Sequence, residues 1–153
     1  VEEFLKENLS IDITTDLDII KGYDHDWSNL KGYADALCRP KNTVECAIVM
    51  RVCYMLNISM TISAGRTNLT GSATPSGGLV LSVINMKEPH ASINIENKTV
   101  KSSVGAVLED MRNDIIEMSN VNFYSRWTSH FRNYNCLYRS NFKELSENIL
   151  KLI

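Results

Sequence analysis

A glycine-containing loop directly after a β-rich segment constrains this chain more than any other feature. Residues 63–71 read SAGRTNLTG, and they follow the run ISMTI at positions 58–62. Glycine tolerates backbone conformations that other residues avoid, and it lets a ligand approach the main chain closely. Peptide N–H groups left bare at the end of a strand suit an anion such as a phosphate. A tight turn without any ligand gives the same pattern, so the loop alone leaves both interpretations open.

Bulk composition excludes several classes of function. The chain has 153 residues, of which 44% are hydrophobic, and a formal charge of −2, which is typical of one globular domain. Without an excess of positive charge, binding to nucleic acid or to an anionic membrane surface is not expected. No apolar run approaches the roughly 20 residues of a membrane helix. The acidic start VEEFLKENL is unlike a signal peptide, which predicts a cytoplasmic protein.

Hydrophobic periodicity predicts an α+β fold with a mixed sheet. Alternating or clustered β-branched residues indicate strands and a hairpin at 11–15, 58–62, 79–83, 92–96 and 99–104. Apolar residues at helical spacing indicate helices at 2–9, 44–56, 106–118 and 142–152. Asn42 and Glu45 have the spacing of a capping box before the second helix. The stretch 16–41 shows no regular pattern.

The cysteines and histidines do not form a metal-binding pattern. The four cysteines are Cys38, Cys46, Cys53 and Cys136, and no CxxC occurs. Cys46 and Cys53 are seven residues apart on a predicted helix, so they share its buried face. The three histidines, His25, His90 and His130, lie far apart in the sequence. We therefore expect buried reduced thiols, surface histidines and no metal site.

Two common phosphate-binding motifs are excluded. The Walker A motif needs four residues between its glycines and then Lys-Ser or Lys-Thr. Here Gly65 and Gly71 enclose five residues and Ser72-Ala73 follow. The Rossmann pattern GxGxxG is absent as well.

An ordered set of motifs resembles the N-terminal half of the FAD-binding (PCMH-type) domain of FAD-linked oxidases. In chain order the motifs are Tyr23, Asp26 and Ser28, then Arg39-Pro40 before Thr43-Val44-Glu45, then the loop SAGRTNLTGSATP, Gly77-Gly78 before a strand, and Val104-Gly105 after the hairpin. The chain is most similar to the glycolate oxidase and D-lactate dehydrogenase branch of the vanillyl-alcohol oxidase superfamily. The similarity covers roughly residues 11–118. It implies that 1–118 is the N-terminal part of an FAD-binding domain.

The resemblance also implies which residues bind FAD. The backbone that would wrap the FAD diphosphate belongs to Ala64, Gly65, Arg66, Thr67, Asn68 and Leu69. Thr67 and Asn68 would add side-chain hydrogen bonds, although capping of the loop itself fits them too. Gly71 would permit close approach, Pro40 would border the adenine or ribose, and Gly105 would lie at the flavin-facing end of the hairpin. Two glycines of the family align with Ala64 and Arg66, and Arg66 fits either a phosphate contact or a surface position.

The similarity ends near residue 118, where the composition changes. Residues 119–153 contain no glycine and no proline, whereas the first 118 residues hold all 7 glycines and 3 prolines. We expect a truncated product in which this atypical tail replaces the rest of the domain, and a homo-oligomer or a second chain that completes the flavin pocket. The predicted function is an FAD-binding fragment of a 2-hydroxy-acid oxidoreductase, with no nameable catalytic residue and no activity alone. The alternative is a non-catalytic remnant or interaction protein that keeps the fold without FAD.

Overall fold

A four-stranded mixed sheet forms the centre of the protein. The computed structural model describes residues 10–87, 91–94, 96–97 and 99–119. The strands of the sheet are β1 (Ile13–Thr14), β2 (Ala36–Cys38), β3 (Met60–Ser63) and β4 (Leu79–Ser82). Their order is β1-β2-β4-β3, with β4 parallel to both β2 and β3 and with β1 antiparallel to β2. The mixed sheet and the α+β class predicted from the sequence are confirmed.

Helix α2 (Thr43–Met55) connects β2 to β3, and a shorter helix, α1 (Leu17–Ile20), precedes β2. The predicted capping box is present, because Asn42 Oδ1 accepts a hydrogen bond from the Glu45 amide at 2.9 Å. Glu45 Oε2 in turn accepts from the Lys41 amide at 2.8 Å. The first bond satisfies an N–H group that the first helical turn would leave bare, and the second pairs the amide of the residue just before the cap. The helix ends before Asn57, which has a φ of 53°.

Each face of the sheet is covered by a different part of the chain. Alternate strand residues point to opposite faces. On one face, Leu79 and Leu81 pack in a core with Cys46, Val49 and Cys53 of α2, which confirms the predicted buried face of the helix. On the other face, a smaller core joins Ile20, Ala34, Leu37 and Val80, with Tyr23 packed against it. Residues 20–34 therefore cover the face that α2 leaves free.

A hairpin and a helix follow the sheet. The hairpin pairs β5 (Ala91–Asn94) with β6 (Thr99–Ser102) in antiparallel register, and α3 (Leu108–Ser119) comes next. Both elements confirm the sequence prediction, with bounds shifted by one or two residues. No helix in the described residues is both long enough and apolar enough to cross a bilayer.

All five predicted strands are shorter than expected, and one strand was missed. The strand predicted at 58–62 begins at Met60, because the Ile58 amide still donates to the Cys53 carbonyl at the helix end at 2.8 Å. β2 was not predicted within 16–41, since three residues are too few to show a period. Several predictions lie outside the described residues: the helices at 2–9 and 142–152, and the placement of His90, His130 and Cys136.

Candidate functional site

The three parallel strands end together at one edge of the sheet. Leu81 of β4 is in register with Cys38 of β2 and with Ile62 of β3. Pro40 and Ala64 therefore follow the carboxyl ends of the two strands that flank β4. In open sheets with parallel strands, ligands bind at this carboxyl edge, where neighbouring connections diverge. The glycine loop, residues 63–71, begins here.

The loop presents backbone donors that the protein does not use. Within the described part of the chain, five loop residues have N–H groups that donate to no carbonyl and no side chain: Ala64, Gly65, Arg66, Leu69 and Gly71. Residues 64–68 are half-buried. Backbone N–H groups that are shielded from water and unpaired are uncommon, because each one loses a hydrogen bond on folding. They therefore form a site at which an acceptor such as a phosphate oxygen gains several hydrogen bonds.

Two serine hydroxyls at the same edge also lack a partner. Ser63 and Ser82 are register partners on β3 and β4, and both residues are fully buried. Adjacent parallel strands place register partners on the same face of the sheet. Among the described residues, neither Oγ atom makes a hydrogen bond. A buried hydroxyl without a partner costs about 1–3 kcal/mol, so this pair adds hydrogen-bonding capacity where the loop begins.

A buried carboxylate holds the loop in place. Asp26 is only 2% exposed, and it accepts hydrogen bonds from the Ser28 amide at 2.9 Å, from the Ala73 amide at 3.3 Å and from the Asn68 side chain. Burial alone would raise the pKa of Asp26, but the hydrogen bonds from Ser28, Ala73 and Asn68 outweigh it and lower the pKa from 3.8 to about 2. The Trp27 amide donates to the Asn68 carbonyl at 3.1 Å. Sequence reasoning placed Asp26 in a motif but assigned it no role.

Arg66 lies inside this arrangement with a strained backbone. Its φ is 55°, which costs a residue other than glycine about 1 kcal/mol. Its guanidinium lies 4.5 Å from the centre of the Tyr23 ring, and Nη1 donates to the Gly22 carbonyl. A cation–π contact contributes about 0.5–2 kcal/mol and a charged hydrogen bond about 1.5–3 kcal/mol. These two contacts offset the backbone cost, while the buried Nε atom of Arg66 has no hydrogen-bond partner among the described residues.

The side chain of Asn68 faces the protein, and the backbone of Gly71 lies close to Leu30. Asn68 Nδ2 contacts Asp26, Thr70 and Ser72, whereas the resemblance implied a hydrogen bond to the diphosphate. Capping of the loop, the other interpretation of Asn68, describes this geometry. Gly71 has a φ of 74°, and a Cβ there would lie 2.6 Å from the Leu30 side chain. Gly71 therefore allows the loop to pack closely against residue 30.

The remaining predicted site residues differ from one another in burial and in their contacts. Thr67 is half-buried and has interaction partners in the structure. Leu69 is 72% exposed at the outer side of the loop. Pro40 is fully buried at the carboxyl end of β2. The Gly105 amide donates to the Met86 carbonyl at 2.9 Å, and a Cβ on Gly105 would lie 2.4 Å from the carbonyl oxygen of Val83, next to the end of β4. Pro40, Ala64 and Gly105 are thus brought to one edge of the sheet.

These residues fit the diphosphate of FAD mainly through backbone groups, with two serine hydroxyls at the same edge of the sheet. A diphosphate carries about two negative charges and needs several fixed donors. The unpaired amides of Ala64 and Gly65, beside the partnerless hydroxyls of Ser63 and Ser82, supply such donors. Among the described residues, no group of three potential metal ligands lies close together. His25 is exposed, as expected, and pairs with Asp24.

Comparison with solved structures identifies the same fold in several enzymes. The 6-hydroxy-D-nicotine oxidase of Arthrobacter nicotinovorans superposes with a TM-score of 0.59 at 16% identity over 70% of this chain and 24% of that one. An alkyldihydroxyacetonephosphate synthase superposes with a TM-score of 0.63 at 13% identity, over 77% of this chain and 27% of that one. At such identities the likeness concerns the fold alone. The chain spans about a quarter of the length of these proteins.

Comparison of sequences gives the same assignment. A curated D-lactate dehydrogenase of Anaerostipes hadrus is 30% identical over 99 residues, which are 63% of this chain and 21% of that protein. The sequence model of a family described as the FAD binding domain matches residues 34–120, more than half of the chain. The match includes Pro40, the whole glycine loop and Gly105. The chain belongs to this FAD binding domain family of PCMH-type flavoproteins, and FAD is the cofactor that membership implies.

Proposed function

We propose that this chain is the FAD-binding portion of a cytoplasmic 2-hydroxy-acid oxidoreductase related to glycolate oxidase and D-lactate dehydrogenase. The observation that carries the proposal is the set of unpaired loop amides at the carboxyl edge of the parallel strands. The similarity to a D-lactate dehydrogenase supports the substrate class. The acidic composition, with a formal charge of −2, supports a protein that binds neither nucleic acid nor membranes.

In this proposal the residues of the loop bind the FAD diphosphate, and the residues around the loop hold it in place. The amides of Ala64 and Gly65 donate to the diphosphate oxygens, and Asp26 fixes the far end of the loop through Asn68. Bound FAD supplies the chemistry, which is to accept a hydride equivalent from the α-carbon of the substrate. Residues 64–68 are half-buried, and hydrogen bonds from partly shielded amides to an anion are stronger than those in open solvent.

Catalysis and the rest of the pocket require more polypeptide than the described residues supply. The chain spans about a quarter of each solved relative. We propose that residues 1–118 provide one side of the flavin pocket, that the atypical tail 119–153 stands in the sequence where the rest of the domain would follow, and that a second copy or a second chain provides the opposite side. No residue of this chain is assigned as the base that removes the substrate proton.

A pair of charge substitutions at Leu69 tests the proposal without disturbing the fold. Leu69 is 72% exposed, so a charged side chain there alters the local potential and little else. Leu69→Glu should weaken FAD binding by about threefold at low salt, and Leu69→Lys should strengthen it by a similar factor. The matched controls are Tyr54→Glu and Tyr54→Lys. Tyr54 is 79% exposed near the end of α2, which runs back to the opposite edge of the sheet.

Equilibrium dialysis of the full chain against FAD measures these affinities directly. The proposal requires opposite effects at Leu69, smaller effects at Tyr54 and a loss of the difference at high salt. Equal effects at the two positions would place the ligand elsewhere. FAD that stays entirely free at tens of micromolar protein would rule out the proposal, and the alternative of a fold retained without FAD would stand.

A further inference from the structure

We propose that Arg66 and Tyr23 form a clamp that positions the loop amides, and that Arg66 does not itself contact the anion. This inference rests on the proposed function, because it assigns a role within the same FAD site. The sequence alone left Arg66 open between a phosphate contact and a surface position. The structure shows a third arrangement, in which the guanidinium contacts Gly22 and Tyr23.

The clamp joins two distant parts of the chain. Arg66 Cζ lies 4.5 Å from the Tyr23 ring centre, and Nη1 donates to the carbonyl of Gly22, 44 positions earlier in the sequence. Arg66 is half-buried. Tyr23 is itself fixed, because it packs against the core of Ile20, Ala34, Leu37 and Val80. The guanidinium is therefore attached to a residue that is anchored in the core rather than in the loop.

The clamp lies next to the two unpaired amides of Ala64 and Gly65, so it affects their orientation. Only Ala64 and Gly65 separate Arg66 from Ser63, the last residue of β3. The strand fixes one end of this two-residue stretch, and the clamp fixes the other in a conformation with positive φ. The two unpaired amides have few orientations left. A ligand that binds them does not have to order them first, and this preorganisation increases affinity.

Substitutions of Tyr23 distinguish the two possible roles of Arg66, which are to position the loop amides or to contact the anion directly. If Arg66 reached the anion, removal of the Tyr23 ring would leave binding unchanged or release the guanidinium to bind more tightly. Lysine at position 66 would then retain much of the affinity, since it keeps the charge. If Arg66 positions the loop, both changes weaken binding, because lysine lacks the planar group that stacks on an aromatic ring. Tyr23→Phe keeps the ring and serves as the matched control.

Native-state digestion with trypsin tests the clamp without FAD. The bond after Arg66 should be cleaved about tenfold faster in Tyr23→Leu than in the wild type, because cleavage follows the opening of the loop. Tyr23→Phe should resemble the wild type. Cleavage after Arg51, an exposed residue of α2, is the internal reference, and an equal rate there in all variants shows that the fold is intact. Equal cleavage after Arg66 in Tyr23→Leu and in the wild type would overturn the clamp.

FAD affinity tests the positioning role. Dialysis should show dissociation constants for FAD that are about tenfold higher for Tyr23→Leu and for Arg66→Lys than for the wild type. The dissociation constant of Tyr23→Phe should be nearly unchanged. If Tyr23→Leu is cleaved faster by trypsin but binds FAD as tightly as the wild type, the clamp does not position the amides for FAD. Its contacts would then serve only the structure of the loop. If the wild type binds no FAD, the proposed function and the positioning role both fail, while the trypsin result still decides whether the clamp exists.

Discussion

Substituting Asp26 with asparagine removes the charge on which the loop depends. The carboxylate of Asp26 is 2% exposed and accepts hydrogen bonds from Ser28, Asn68 and Ala73. Its pKa is lowered from 3.8 to about 2, and at about 1.36 kcal/mol per pKa unit this shift corresponds to about 2 kcal/mol of stability. Asparagine keeps the size but lacks the charge, so Asp26→Asn should lower the free energy of unfolding by about that amount near pH 7.

The pH dependence gives this prediction a second readout. Because the folded-state pKa lies below the unfolded value, the contribution of Asp26 is complete above pH 4 or so and is lost as the pH falls towards 2. At about pH 3 roughly half of it is gone. Asparagine does not titrate there, and the other carboxyl groups are the same in both proteins. The difference in unfolding free energy between the wild type and Asp26→Asn should therefore shrink from about 2 to about 1 kcal/mol between pH 7 and pH 3.

Urea denaturation followed by circular dichroism measures both quantities. The control is Asp18→Asn, which changes a carboxylate that pairs with Lys21 at the surface and whose side chain is 88% exposed. It should change the unfolding free energy by less than about 0.5 kcal/mol. Equal effects of Asp26→Asn and Asp18→Asn, or a difference that stays constant down to pH 3, would refute the role given to the buried carboxylate.

Three further predictions follow from local geometry. Asn42→Ala removes the cap of α2 and should lower the free energy of unfolding by about 1 kcal/mol in urea denaturation. Gly105→Ala places a Cβ 2.4 Å from a carbonyl oxygen and should lower the melting temperature by several degrees, whereas Gly22→Ala, which meets no atom within 4 Å, should leave it nearly unchanged. Burial raises the pKa of Cys38 to about 12 and that of Cys46 to about 11, so iodoacetamide should label neither thiol until the protein unfolds, as peptide mass mapping can show.

Elements with a strong local signal could be predicted from the sequence. The capping residues Asn42 and Glu45, together with the apolar spacing of 44–56, predicted both ends of α2 to within one residue. The hairpin followed from alternation and a turn signal. β2 could not be predicted, because its place in the sheet comes from pairing with residues 79–81, more than 40 positions away. Its length of three residues leaves no periodicity to detect.

The position of the loop could be predicted, but the orientation of its side chains could not. A strand followed by glycines predicted residues 63–71 as the candidate site, and this loop begins at the carboxyl edge of the parallel strands with the unpaired amides of Ala64 and Gly65. Asn68 and Arg66 turn instead to Asp26 and Tyr23, some 40 residues earlier. These contacts depend on how two distant segments pack on one face of the sheet. The tail at 119–153 remains a prediction from composition.

The central claim is that FAD binds through the peptide N–H groups at the start of the glycine loop. The most direct measurement is a titration of ¹⁵N-labelled full-length protein with FAD, followed by the amide signals in heteronuclear NMR spectra. The account predicts that the amide protons of Ala64 and Gly65 move to higher chemical shift, as expected for new hydrogen bonds to an anion, and that they change more than those of α2. Unchanged signals for Ala64 and Gly65 while other residues respond to FAD would contradict it.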